Sequence, residues 1–164
     1  MLNGGLIFIT GLSGSGKSTL ATKLIKDIDK NFGIKAVLLD GDSLRECVGN
    51  TDYSESGREQ MSMYYVRTAR MLAKQGFLVV LATISMFESV RQFNRDNFTN
   101  YLEVYLNVDK DILKSRDSKG FYKQEVSNMA VAQNLEFPKN SHLVFYGNFD
   151  KEEATRAILS HLKH

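Results

Sequence analysis

The sequence predicts one three-layer α/β domain: a five-stranded parallel sheet with helices on both faces and a lid loop. Two observations carry that expectation. Apolar runs at 6–10, 36–40, 77–83, 102–107 and 143–146 alternate five times with helical stretches, and strands that alternate with helices pair in parallel through right-handed crossovers. A glycine-rich stretch, Gly11-Leu12-Ser13-Gly14-Ser15-Gly16-Lys17-Ser18-Thr19, joins the first run to the first helix. It matches the pattern Gly, four residues, Gly-Lys-Ser/Thr in every position. The expected class is therefore a P-loop NTPase-type domain, read as a single unit over residues 1–164.

Each element has its own warrant. The five runs are continuously apolar rather than strictly alternating, as strands covered on both faces are. The stretch 18–30 carries Leu20, Leu24, Ile25 and Ile28 at helical spacing. The stretch 58–75 sets Met61, Tyr64, Tyr65, Thr68, Met71 and Leu72 on one stripe and stops at Gly76. A third helix runs through Val90, Phe93 and Phe98, a fourth follows Asp109, and a last spans 152–162. Pro138, the single proline, falls in the longest irregular stretch, roughly 118–140; stretches of that length in small domains are often lids or binding loops.

Composition narrows the class further. With 43% apolar and 24% charged residues, the 164-residue chain has the make-up of an ordinary globular domain with one core. A net charge of +2 gives no strong pull toward nucleic acid or a membrane surface. No apolar run approaches membrane-spanning length and the N-terminus lacks a basic-then-apolar secretory pattern. Cys47 is the only cysteine, which excludes an intramolecular disulfide or a thiolate metal cage. The expected setting is reducing and cytoplasmic.

The chemistry follows from the strand ends, where open parallel sheets collect ligands. Glycines in the 11–16 loop let successive backbone N–H groups approach phosphate oxygens. Lys17 can reach the β- and γ-phosphates, the Ser18 hydroxyl can ligate magnesium, and the helix that opens there adds its positive end. The second strand ends in Asp40-Gly41-Asp42, followed by Arg45, and the third in Thr83-Ile84-Ser85. The third lacks the aspartate that many P-loop hydrolases place there, and the guanine-reading Asn-Lys-x-Asp is absent. A small kinase is the better reading. A kinase needs a base at the acceptor hydroxyl and cations on the transferred group. One of Asp40 and Asp42 would take the proton and the other would hold magnesium. The spacing does not decide between them; Asp40 is taken as the base. Arg116 and Lys119 stand where a closing lid would meet the triphosphate.

These residues resemble the adenylylsulfate (APS) kinases. The phosphate loop, Leu39-Asp40-Gly41-Asp42-Ser43-Leu44-Arg45, Gly57-Arg58-Glu59-Gln60, Ile84-Ser85, Glu103-Val104-Tyr105 and Arg116-Asp117-Ser118-Lys119-Gly120-Phe121-Tyr122 occur in that family's order at similar spacing, over roughly 5–145. The resemblance implies magnesium-dependent transfer of the ATP γ-phosphate to the ribose 3′-hydroxyl of adenosine 5′-phosphosulfate. It implies that Gly11, Ser13, Gly14, Ser15, Gly16, Lys17, Ser18, Thr19 and Arg116 bind ATP, with Lys17, Asp40 and Asp42 catalytic and Ser18 and Asp40 at the metal. On the acceptor side it implies Asp42 among the acceptor-binding residues, Arg45 and Arg58 on the 5′ anhydride, Tyr53 against the base, Ile84 and Ser85 lining the pocket, and Lys119 and Lys123 in the lid. Homodimers are common among such relatives, although no interface is legible here.

The departures all fall on the acceptor side. The family's Asn and downstream Arg in the acceptor-side helix are Met61 and Met63, its Ser-Pro is Ser85-Met86, and its lid Phe-Thr-Gly-Ile is replaced near Met129-Ala130-Val131-Ala132. A pocket that loses polar contacts changes specificity more than rate. APS-kinase-like enzymes of capsule phosphoramidate pathways, acting on cytidine diphosphoramidate, fit that pattern and are slightly favoured over APS kinase itself. Two further readings stay open: a kinase of another small alcohol of gluconate or shikimate type, and a non-catalytic nucleotide-binding module. Asp40-Gly41-Asp42 with Arg45 and Tyr53 suits an anionic aromatic acceptor better than the first, and a pure binder needs no base.

Overall fold

In the computed structural model, which describes residues 2–116 and 134–163, the chain alternates strand and helix as expected. It runs β1 (Gly5–Gly11), α1 (Lys17–Phe32), β2 (Val37–Asp40), α2 (Gly41–Val48), α3 (Glu55–Lys74), β3 (Leu78–Thr83), α4 (Glu88–Asn97), β4 (Tyr101–Asn107), α5 (Lys110–Ser115), β5 (Leu143–Tyr146) and α6 (Lys151–Leu162). All pairings are parallel, in the order β2-β3-β1-β4-β5. β1 is thus the central strand, with Gly5 opposite Leu78 on one side and Leu6 opposite Tyr101 on the other. The phosphate loop leaves from the middle of the sheet, flanked by the ends of β3 and β4.

The two faces of the sheet bury different halves of each strand, because successive side chains point to opposite sides. Ile7, Ile9, Val80, Ala82 and Val104 pack with Leu20, Leu24 and Ile28 of α1 and with Ala154 and Ile158 of α6. Leu6, Phe8, Val79 and Leu81 pack with Met61, Tyr65, Val66 and Ala69 of α3 and with Val90 of α4. Each large aliphatic side chain so buried contributes about 1.5–3 kcal/mol. β1 and β3 are buried along their whole length, whereas β2 and β5 are only partly buried because they are the edges. The expectation of strands covered on both faces therefore holds for the centre and fails at the rims.

Two elements differ from the sequence expectation. α2 begins directly at Gly41, where the sequence analysis places the end of a strand and names no helix; Asp40 caps it, its Oδ1 accepting from the backbone N–H of Asp42 and Ser43 at 3.1 and 3.4 Å. Such a cap is worth about 1 kcal/mol. α3 starts at Glu55 with Ser54 as its cap, and its buried stripe is Met61, Ser62, Tyr65, Val66 and Ala69, while Tyr64 and Met71 face out. α1 ends at Gly33 in the left-handed conformation, with its N–H bonded to Asp29 O. Lys119, Lys123 and residues 129–132 of the expected lid lie outside the described residues; the described part of that stretch, 134–140, contains neither helix nor strand.

Candidate active site

Between Gly11 and α1 the chain turns through two glycines with positive φ, Gly14 at 78° and Gly16 at 94°, and Gly16 is the N-cap of α1. Gly11 has no room for a side chain: a Cβ there would meet Ser15 Oγ at 2.6 Å and Leu106 O at 2.9 Å. The turn is closed by Ser15 N–H donating to Leu12 O at 3.2 Å and Leu20 N–H to Gly16 O at 2.9 Å. The Lys17 ammonium bends back and donates to Leu12 O at 2.8 Å. A helix N-terminus with open N–H groups and a lysine at its first position is a ready anion site.

This loop forms one wall of a cavity of about 460 Å³ at the carboxyl ends of β1, β2 and β3. Of the residues expected to bind ATP, Ser13, Gly14, Gly16, Lys17, Ser18, Thr19 and Arg116 line it. Gly11 and Ser15 stand behind that wall and shape the loop. Arg116, which ends α5, donates from its guanidinium to Asn148 Oδ1 and so stays beside the loop. Asp40, Asp42, Arg45, Arg58, Ile84 and Ser85 form the opposite wall. The two walls meet where Ser18 Oγ donates to Asp40 Oδ2 at 2.6 Å. Hydroxyl and carboxylate oxygens together are the hard ligands that magnesium takes, one or two from protein and the rest from water and phosphate.

Arg45 is 8% exposed and held from three sides. It donates to Asn50 Oδ1 and Asp52 O, each at 2.8 Å, and lies over the Tyr53 ring at 4.5 Å. Tyr53 is half-exposed and is not among the residues that line the cavity. In this arrangement it supports Arg45 from outside. The Asp52 carboxyl is held below the usual range by hydrogen bonds from Ser54, which braces the same loop. Burial pushes the Tyr65 phenol up, against the opposing pull of Arg45, so Tyr65 faces the cavity as a neutral hydroxyl.

Several lining residues carry no motif in the sequence. Ser62 and Tyr65 come from α3, Thr83, Met86 and Phe87 from the end of β3, and Leu135 and Lys151 from later in the chain. The segment after β3 is pinned by Thr10 Oγ1, which donates to Ile84 O and also approaches Met86 Sδ at 3.9 Å. Ser85 holds φ at +31°, a conformation that side-chain-bearing residues rarely adopt. Gly41 lies against Thr83: a Cβ on Gly41 would sit 2.7 Å from Thr83 Oγ1 and 3.0 Å from its Cβ. Gly41→Ala should therefore cost about 1–3 kcal/mol, the usual range for overpacking, read as a lower urea midpoint with an unchanged slope; an unaltered midpoint would show that Thr83 yields freely.

A family model described as adenylylsulphate kinase matches residues 3–145. The chain belongs to the adenylylsulphate kinase family. By that membership it is a phosphotransferase with a hydroxyl acceptor. The cytidine diphosphoramidate kinase of Campylobacter jejuni is 37% identical over 82% of this chain and 80% of its own length. The probable adenylyl-sulfate kinase of Pyrococcus abyssi is 32% identical over 76% of this chain and 72% of its own. Among solved structures, the Mycobacterium tuberculosis APS kinase in complex with AMPPNP and APS superposes with a TM-score of 0.89 at 27% identity, covering both chains fully. A shikimate kinase from Acinetobacter baumannii, in complex with shikimate, shares the fold alone, with a TM-score of 0.69 at 16% identity over 96% of this chain and 92% of its own. Among its described residues, this family member has no helix long and apolar enough to cross a membrane.

Proposed function

We propose that this kinase transfers the γ-phosphate of ATP to the ribose 3′-hydroxyl of a nucleoside 5′ mixed anhydride, with cytidine diphosphoramidate favoured over adenylylsulfate. The observation that carries the reading is one cavity with a phosphate loop on one wall and Asp40, Asp42, Arg45 and Arg58 on the other. In-line transfer needs donor and acceptor side by side with cations on the moving charge. Met61 is buried in the core and Met63 packs against it, and neither lines the cavity, so the polar residues of the family pattern have no counterpart on this wall. The similarity to the cytidine diphosphoramidate kinase supports the choice of acceptor. On this reading the enzyme serves the capsule phosphoramidate route and works in the cytoplasm. Adenylylsulfate is the second reading, supported by the family model.

Each residue then has a task. Backbone N–H groups of the loop and Lys17 receive the triphosphate, and Arg116 covers it. Ser18 and Asp40 would hold magnesium, which when bound neutralises charge on the phosphate oxygens. The Ser18–Asp40 contact favours the metal side for Asp40. It therefore favours Asp42, in the first turn of α2 on the same wall, as the group that takes the hydroxyl proton. Arg45 and Arg58 hold the anionic 5′ group. The outer position of Tyr53 supports a role in fixing Arg45 rather than in stacking on the base.

An ADP-release assay with ATP and magnesium, run with cytidine diphosphoramidate, adenylylsulfate, gluconate and shikimate and with a 3′-deoxy nucleotide as control, tests the proposal. Turnover of the first, or of the first two, with none of the 3′-deoxy compound is expected; turnover of gluconate or shikimate alone would overturn it. Arg45→Lys should raise the acceptor KM about tenfold and the ATP KM less than twofold, because the planar fork is lost while the charge stays. Equal changes in both constants would count against the assignment.

A further inference from the structure

Lys151 stands where the fold gains nothing from a cation. It is the first residue of α6, whose cap is Asp150, with Oδ1 accepting from Glu152 N–H at 2.7 Å. A positive charge at a helix N-terminus opposes the helix dipole, whereas Glu152 and Glu153, the next two residues, complement it. The side chain is exposed, lines the cavity and reaches over the start of α1. A Cβ built on Gly16, the N-cap of α1, would sit 3.8 Å from Lys151 Cε. The ammonium, one bond beyond, therefore meets a second helix N-terminus in the company of Lys17 and Arg116, which line the same cavity.

Nothing in the protein offsets this crowding of positive charge. Among the described residues, no hydrogen bond or ion pair engages the Lys151 ammonium. Lys23 of α1 shows what compensation looks like, bridging Asp27 at 2.8 Å and Glu152 at 2.9 Å. The carboxylate of Asp40 is taken up by Ser18 and by the cap of α2. Asn148, three residues before Lys151, accepts from the Arg116 guanidinium. One connection, from the end of β5 to α6, thus sets two cations beside the phosphate loop. Departures from what stability favours collect at functional sites, and an anion in the loop would turn each of these repulsions into an attraction.

The sheet order says which part of the anion Lys151 faces. The loop leaves β1 in the middle; Ser18 with Asp40 lies on the β2 side, and Lys151 arrives from the β5 side. Transfer is proposed on the β2 side, so Lys151 addresses the opposite end of the triphosphate. We infer that Lys151 is a donor-binding residue that holds the α- and β-phosphates of the nucleotide, away from the phosphoryl group that moves. This rests on the donor half of the proposed function and adds a residue to it. A contact made equally before and during transfer strengthens binding without speeding the chemical step.

Calorimetry on the full chain with magnesium and ATP, ADP or inorganic tripolyphosphate tests this, set beside the thermal midpoint of the unliganded protein. Lys151→Met should weaken ATP and ADP by the same factor, about tenfold, and weaken tripolyphosphate too. The ATP KM should rise by a similar factor while kcat changes much less. The unliganded midpoint should rise by about 1–4 °C. Lys151→Glu should raise it further and weaken binding further, and Lys151→Arg should restore the affinity. A merely structural role would lower midpoint and affinity together. The inference is overturned by ATP and ADP affinities within about twofold of native. A loss confined to ATP, a tripolyphosphate affinity that ignores the substitution, or a fallen midpoint would overturn it equally. No acceptor enters the binding measurement, so failure of the acceptor reading leaves the inference standing. A native protein that binds none of the three anions would sink the donor reading and this inference with it, whereas native binding that Lys151→Met leaves intact sinks the inference alone.

Discussion

Lys17→Ala should lower turnover by at least about a thousandfold and leave the protein folded. The magnitude follows from the kind of chemistry. Phosphoryl transfer demands little covalent work from the protein, so positioning and charge stabilisation carry the rate. Removing one neutral donor from such a site costs about a hundred- to a thousandfold, and a cation aimed at the transferred group costs more. The fold should tolerate the change because Lys17 is the first residue of α1 and alanine is the better helix former. Truncation removes the bond from its ammonium to Leu12 O, but the turn keeps its backbone bonds from Ser15 to Leu12 and from Leu20 to Gly16. ADP release at saturating ATP, set beside the urea midpoint, checks both halves. Activity within tenfold of the native enzyme would remove Lys17 from the mechanism.

The second large effect separates the two aspartates. Asp42→Asn should lower kcat by about a hundred- to ten-thousandfold, the range of a lost general base, with ATP affinity and the magnesium concentration for half-activity unchanged. Asp40→Asn should also remove most turnover and leave ATP affinity nearly unchanged, but it should raise the magnesium requirement, since Asp40 Oδ2 sits on the Ser18 hydroxyl. The amide keeps one oxygen to cap α2, so the loss would not be an unfolding effect. A magnesium titration of both variants makes the comparison. The mirror result, with the requirement raised in Asp42→Asn and untouched in Asp40→Asn, would return the base role to Asp40, and full activity in either variant would excuse that residue altogether.

The donor side was legible because its chemistry is local. Nine consecutive residues hold the loop, the lysine and the hydroxyl, and glycine at 11, 14 and 16 is demanded by close approach or by positive φ. The sheet was legible for a similar reason, since a short, valine-rich apolar run such as Leu78-Val79-Val80-Leu81, between two helical stretches, suits a strand covered on both faces. α2 escaped because Asp-Gly reads equally well as a turn, and the cap that makes it a helix start is visible only once Asp40 is seen to accept from two backbone groups. Tyr64 and Met71 misled because a stripe of apolar residues on a long helix is wider than the face that α3 buries. On the acceptor wall, Ser62 and Thr83 carry no motif. They join one hydroxyl row only through tertiary packing of α3 against the end of β3, which no spacing rule anticipates. Tyr53 is read against the base by resemblance; in the structure it lies outside the cavity lining, with Arg45 over its ring.

The sheet order has a consequence for how such an enzyme changes its diet. The loop and lysine proposed to grip the donor hang from β1, in the middle, with Arg116 beside them after β4, whereas the proposed acceptor wall is hung from β2 and β3, with α2 and α3 between them. The two jobs are therefore modular. Rewriting two adjacent connections can exchange one alcohol for another without disturbing the energy-carrying half of the machine, and a lineage built on this plan can diversify its customers while its engine stays the same.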